Sequence, residues 1–152
     1  MTLLTLQTHI RAPKEIIFDL SRNIDIHILS ATQTGEQAIS GTTSGLIGLG
    51  ETVIWSGRHF GIIRYHTSHI PILDYPDYFV DVMTKGHFKS FRHEHRFHYD
   101  NGITLMTDTL YYEMPFGVFG ALFDRLVLRK YLYGFLQKRN TVLKELAEKP
   151  NQ

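Results

Sequence analysis

Near the start of the chain, apolar and polar positions alternate: Leu4, Leu6, Thr8 and Ile10 on one side, Thr5, Gln7, His9 and Arg11 on the other. That period of two predicts a half-buried strand. Ala12-Pro13 ends it, and proline suits the first turn of a helix, where its missing N–H would be unpaired anyway. Residues 14–23 then predict a helix with Ile16, Ile17 and Leu20 on one side, and residues 24–30 a second short helical piece. Residues 33–40 are polar and predict a strand that is exposed or at an edge. Residues 41–50 carry Gly41, Gly45, Gly48 and Gly50 and predict a flexible hairpin loop. The glycine spacing fits neither the dinucleotide fingerprint nor the phosphate-binding loop. Its apolar members Leu46, Ile47 and Leu49 are candidates for a lid.

From there the pattern is β throughout, over residues 51–58, 62–72, 78–83, 87–99 and 103–113. Turn signals separate these runs: His59-Phe60-Gly61, Asp74-Tyr75-Pro76, Lys85-Gly86 and Asn101-Gly102. Connections this short imply antiparallel neighbours. Residues 116–148 run without proline, and Leu122, Leu126, Tyr133, Leu136, Leu143 and Ala147 recur at helical spacing. Leu128, Leu132, Phe135, Val142 and Leu146 widen that stripe. At 1.5 Å per residue the helix would be about 45–50 Å long. Gly134 within it predicts a bend or a close backbone approach, because glycine costs roughly 1 kcal/mol in a helix interior. The predicted fold class is α+β: a curved antiparallel sheet of about six to seven strands wrapped around a long C-terminal helix, with two short helices after strand 1. The two surfaces curve apart, so a cavity between them is expected.

Composition narrows the function. A chain of 152 residues is expected to form a single domain over 1–152. Lys+Arg 16 against Asp+Glu 15 gives a net charge of +1, which argues against disorder and against a nucleic-acid-binding surface. The absence of cysteine excludes disulfides, thiolate nucleophiles, iron–sulfur clusters and Cys-type zinc sites. The first ten residues do not read as a signal peptide, and no apolar run approaches 18 residues. The expectation is a cytoplasmic protein without a membrane span. Phe 10, Tyr 8 and Trp 1, together with a crowding of histidines between residues 59 and 98, point to an aromatic-lined pocket with titratable groups.

Several blocks resemble the SRPBCC superfamily (START, polyketide cyclase and pathogenesis-related proteins), and within it the small bacterial ligand-binding SRPBCC domains. The blocks are Trp55-x-x-x-His59-Phe60-Gly61, Tyr78-Phe79-Val80-Asp81 and Gly86-x-Phe88-Lys89-Ser90-Phe91-x-His93-Glu94-His95-x-Phe97. Thr104-x-Met106-x-Asp108, Pro115-Phe116-Gly117 with Gly120, and Arg139-Asn140 complete the likeness, which covers almost the whole chain. The resemblance implies a helix-grip fold, and it implies pocket-lining roles for Trp55 and Phe79. It does not select an activity, because the superfamily includes lipid carriers, hormone receptors, aromatase/cyclases and chaperone activators.

Strand parity selects the inner face. Asn-Gly favours a two-residue turn in which both residues have positive φ. With Asn101-Gly102 as that turn, His95 opposes Asp108, His93 opposes Leu110, Phe91 opposes Tyr112 and Phe97 opposes Met106. The other face carries Arg92, Glu94, Arg96, His98, Thr107 and Thr109, so the first face packs inward. Opposed Cβ atoms lie about 4.5–5.5 Å apart, within reach of a His95–Asp108 hydrogen bond. That pair either serves a ligand or merely satisfies two buried polar groups. A second chemical reading is a metal held by His93 and His95 with His59 or Asp108, although no metal or cofactor is expected. His66, His69, His87 and His98 are expected at the surface. Arg125, Arg129, Lys130, Lys138 and Arg139 are expected on a solvated helix face.

The expected function is non-catalytic binding of a small hydrophobic or aromatic molecule between sheet and helix. The candidate ligand-binding residues are Trp55, Phe79, Phe91, His93, His95, Phe97, Met106, Asp108 and Tyr112, with His95 and Asp108 as polar anchor. One alternative is a cyclase/dehydratase-like enzyme using His95 and Asp108 as general acid/base. Another is a partner-binding module with a filled interior. Ligand identity and oligomeric state are not legible in these residues.

Overall fold

A computed structural model describes residues 1–150. Strand β1 (Thr2–Ile10) follows the predicted alternation and leads into helices α1 (Lys14–Ser21) and α2 (Ile24–Ser30). Helix α1 ends before residue 23 because Asn23 starts the next helix: its side chain accepts from the Ile26 N–H at 3.2 Å, an N-cap. Strands β2 (Gln37–Gly41), β3 (Thr52–His59), β4 (Ile62–Asp74), β5 (Tyr78–Lys85), β6 (Ser90–Asp100) and β7 (Ile103–Glu113) follow. All pair antiparallel in one curved seven-stranded sheet of order β1-β7-β6-β5-β4-β3-β2, so the polar β2 lies at an edge as expected.

The β6–β7 hairpin has the expected register. Asn101 (φ 49) and Gly102 (φ 81) both lie in the left-handed region, and His95 opposes Asp108. His93, His95, Phe97, Met106, Asp108, Leu110 and Tyr112 are buried, whereas Arg96 and His98 face solvent.

The C-terminal rod departs from one regular helix. It comprises α3 (Gly117–Phe123), a π-helical turn (Asp124–Leu128) and α4 (Arg129–Glu148). Its inward residues before α4 are Gly120, Asp124 and Leu128, spaced by four. An α-helix of 3.6 residues per turn drifts by about 40° with every such step, and the wider π turn absorbs that drift. The expected stripe is therefore corrected: Leu122 and Leu126 are exposed, and so is Tyr133 in α4. Gly134 is corrected as well, for it lies in regular helix with open space where a Cβ would sit. The glycine that contact demands is Gly120, whose Cβ would collide with the Pro115 carbonyl oxygen.

Two apolar clusters hold helices to sheet. One gathers Ile10, Ile17, Phe18, Trp55, Phe79, Phe97, Met106 and Leu143; the other gathers Leu4, Leu110, Tyr112, Leu128 and Leu136. The glycine loop is tied to the α1–α2 junction, where Ile24 N–H donates to Gly45 O at 2.8 Å and Ile47 N–H to Arg22 O at 3.1 Å. Ile47 is buried there, while Leu46 and Leu49 point outward.

Candidate functional site

A cavity of about 450 Å³ lies between the inner face of the sheet and the C-terminal rod. Its walls are mostly apolar: Ile70, Phe79, Phe91 and Leu110 from the sheet, Leu132, Phe135 and Leu136 from α4, and Ile47 from the glycine loop. Phe60 and Phe123 line it yet are also exposed, which puts them at its rim.

Of the candidate residues, Trp55, Phe79, Phe91, His93 and His95 line this cavity. Phe97, Met106 and Tyr112 are buried in the core clusters and are not part of its wall. Asp108 is fully buried and also outside the wall, touching both His93 and His95.

The surroundings of Asp108 differ from a simple pair with His95. His93 Nε2 lies 2.9 Å from Asp108 Oδ1 in hydrogen-bonding geometry, which fixes the Nε2–H form of that ring as donor. His95 Nδ1 is 3.1 Å from the same oxygen but off the line of a hydrogen bond, and it has no other partner among the described residues. The diagonal neighbour, not the opposed one, makes the bond. Helix α4 supplies two further groups: Arg139 Nη1 at 3.3 Å from Oδ1 and Asn140 Nδ2 at 2.6 Å from Oδ2. Burial alone would raise the Asp108 pKa; the two imidazoles and the Arg139 charge outweigh it and hold the carboxyl well below its usual value. His95 shifts the opposite way. Burial first, then the nearby His93 and Arg139, push its imidazole well below the usual range, so it is neutral at neutral pH. Its ring stacks on Phe79 with centroids 4.1 Å apart, which fixes its orientation.

Arg139 is thus not on a solvated face, a correction to the sequence reading, and Asn140 joins it as a site residue that reading missed. The signal was present: both fall in the seven-residue gap between Leu136 and Leu143, three or four positions from each, on the inward stripe.

A second polar group sits on the cavity wall and was also missed. Glu36, just before β2, is buried; its Oε2 lies 2.6 Å from His27 Nε2 and its Oε1 3.5 Å from His59 Nε2. His59 Nδ1 is 2.7 Å from the Tyr131 hydroxyl, which ties this cluster to α4. Burial would raise the Glu36 pKa, but the two imidazoles reverse the effect and hold the carboxyl well below its ordinary range. Room for this side chain comes from Gly57, where a Cβ would stand only 2.7 Å from Glu36 Cγ. His66 lines the cavity instead of facing solvent, and burial lowers its pKa. Asp81, opposite His93 across β5 and β6, also lines it with a buried Oδ1 that has no hydrogen-bond partner among the described residues.

His93, His95 and Asp108 offer ligand atoms within 4.8 Å of one another. They do not fit a divalent cation, because Asp108 already receives His93, Arg139 and Asn140, and the guanidinium 3.3 Å from its Oδ1 sets a fixed positive charge against a second cation there.

No family model and no curated protein matches the sequence. Solved structures do match over nearly the full length. The protein TTHA0849 from Thermus thermophilus is 15% identical with a TM-score of 0.74, covering 97% of this chain and 100% of that one. Ginseng major latex-like protein 151 from Panax ginseng is 18% identical with a TM-score of 0.70, covering 97% and 98%. A START superfamily protein from Mycobacterium smegmatis is 13% identical with a TM-score of 0.71, covering 96% and 97%. At these identities the likeness shows a common fold, the helix-grip architecture that the SRPBCC resemblance implied.

Proposed function

We propose that this protein binds a small hydrophobic or aromatic molecule in the cavity between sheet and α4 and does not transform it. The cavity itself carries the reading: at about 450 Å³ it falls within the roughly 300–1,000 Å³ of small-molecule sites, which are mostly apolar with a few polar groups that set orientation. Here the apolar walls would supply most of the affinity. His95, neutral and held flat against Phe79, and the unpartnered Asp81 Oδ1 would orient a polar substituent. The filled-interior reading has no counterpart for that volume. The cyclase/dehydratase reading needs Asp108 to stand in line behind His95, yet Asp108 bonds to His93, Arg139 and Asn140 while His95 Nδ1 is off line.

The test uses the single tryptophan, which is in the cavity wall. Titration with 2-naphthol should change Trp55 emission saturably, and native mass spectrometry of freshly purified protein should show a small co-purified adduct. Ser68→Phe, which fills part of the cavity from β4, should abolish the naphthol response in protein that still unfolds cooperatively. No emission change and no adduct with the folded wild type would overturn the reading. Release of a chemically altered molecule would move it to the enzyme class.

A further inference from the structure

The rod's N-terminal third exposes more apolar surface than a chain surrounded by water retains without use. Phe116, Val118, Phe119, Leu122, Phe123, Leu126 and Val127 all face solvent, the first three at 82% exposure each. The β3–β4 turn extends the patch, for the exposed Phe60 meets Phe123 edge to face at 5.6 Å, with exposed Ile62 beyond it. Phe116 also holds φ at +71, a left-handed conformation that is strained for a non-glycine residue. The exposed charges in residues 115–130 are all positive: Arg125, Arg129 and Lys130. The one acid there, Asp124, is turned inward, bonded to Thr2, Tyr112 and Arg129.

We propose that this face docks on a lipid bilayer rich in anionic headgroups, with Phe116, Phe119, Leu122 and Leu126 entering the interfacial layer and the cations Arg125 and Lys130, which unlike Arg129 are not paired with Asp124, meeting the headgroups. Two features select a bilayer over a protein. Side chains that stand this clear of the fold would each need a matching socket on a rigid partner, whereas a fluid interface closes around them. An apolar tip flanked by cations alone complements a negatively charged lipid surface. Phe60 and Phe123 belong both to this patch and to the cavity rim, so docking sets the cavity mouth against the acyl layer. An apolar ligand would then pass between bilayer and cavity without crossing water, a consequence that rests on the binding reading above. Among the described residues, no helix is long and apolar enough to cross a membrane; the proposed contact is a peripheral one.

Flotation with phosphatidylcholine vesicles, with and without phosphatidylglycerol, tests the docking without any ligand. The protein should float with the phosphatidylglycerol vesicles, and added salt should weaken the association. Phe119→Ser with Leu126→Ser should lower partition by at least about tenfold while thermal unfolding and the naphthol response of Trp55 stay as in the wild type. Arg125→Glu with Lys130→Glu should remove the preference for phosphatidylglycerol. Absence of flotation, or flotation indifferent to the serine substitutions, would overturn the proposal. So would a concentration-dependent dimer that those substitutions dissolve, since the patch would then be covered by a second copy. Vesicle binding and the naphthol response are separate readouts, so either proposal can fail alone.

Discussion

The Asn140 side-chain amide donates to Asp108 Oδ2 across 2.6 Å, joining α4 to β7 through a carboxylate fully shielded from water. Arg139, the preceding residue, reaches the other oxygen of the same group and also bonds to Asn140 at 3.0 Å. Helix α4 and sheet are therefore fastened at a charged point under the cavity wall, in addition to the apolar clusters. The wall residues His93 and His95 rest on that fastening, so the geometry of the binding surface depends on groups that a ligand would not touch.

Removing Asp108 leaves Arg139 buried without its counter-charge, which typically costs about 3–5 kcal/mol. Asn140→Ala removes hydrogen bonds to Asp108, Arg139 and Thr8, the strongest of a kind that costs about 1.5–3 kcal/mol to lose, but leaves the Arg139–Asp108 charges paired. Asp108→Ala is therefore expected to destabilise more than Asn140→Ala, as read by urea denaturation at neutral pH. Equal, small losses for both variants would mean that the fastening contributes little.

Much of this site was legible in advance, and the part that was not has identifiable reasons. Asn101-Gly102 fixes the β6–β7 register, and register alone sends Asp108 inward. Which histidine bonds to it depends on side-chain angles that parity does not encode, and the diagonal His93 has them. The charge of Arg139 points to solvent although its spacing places it inside, and the period is the better guide. Glu36 gave no local sign, since its burial depends on the gap at Gly57, 21 positions away in sequence and adjacent only in the fold. The π-helical turn has no sequence signature either; it goes with Asp124 turned inward against Thr2 and Tyr112.

Acid should weaken the protein in two stages. His95 has a folded-state pKa held well below its ordinary 6.5, so the unfolded chain takes up a proton there that the folded one refuses. Stability then falls as pH drops through about 6.5, and His66 adds to this in the same direction. Asp108 acts lower: its folded pKa lies well below the ordinary 3.8, so its contribution is complete above that value and is lost as pH falls beneath it. His95→Phe keeps an aromatic ring against Phe79 but cannot titrate. Its urea midpoint should decline less between pH 7 and pH 5 than that of the wild type. An identical decline would show that His95 is not the group responsible.

Gly57→Ala probes the second polar cluster without removing a polar atom. The new methyl would press on Glu36 Cγ at 2.7 Å and on His59 Nε2 at 3.3 Å, so Glu36 must move away from His27 or the strands must part. Overpacking of this kind costs about 1–3 kcal/mol. The loss should be smaller in a Glu36→Ala background, where the obstructing side chain is gone. A full loss in both backgrounds would place the strain in the β2–β3 backbone instead.

Arg139 makes a sharper prediction about metals. Three ligand atoms lie within 4.8 Å of one another on His93, His95 and Asp108, a spacing that alone would invite zinc. The guanidinium 3.3 Å from Asp108 Oδ1 opposes any second cation there. Arg139→Met keeps an unbranched apolar stem and removes the charged head, which takes one partner from that oxygen and lifts the repulsion. Zinc should leave the thermal midpoint of the wild type unchanged and raise that of Arg139→Met, because a ligand that binds only the folded state stabilises it by mass action. A saturable zinc-dependent rise in the wild type would mean that the carboxylate is available to a metal despite its three partners, and that the role assigned to Arg139 is wrong.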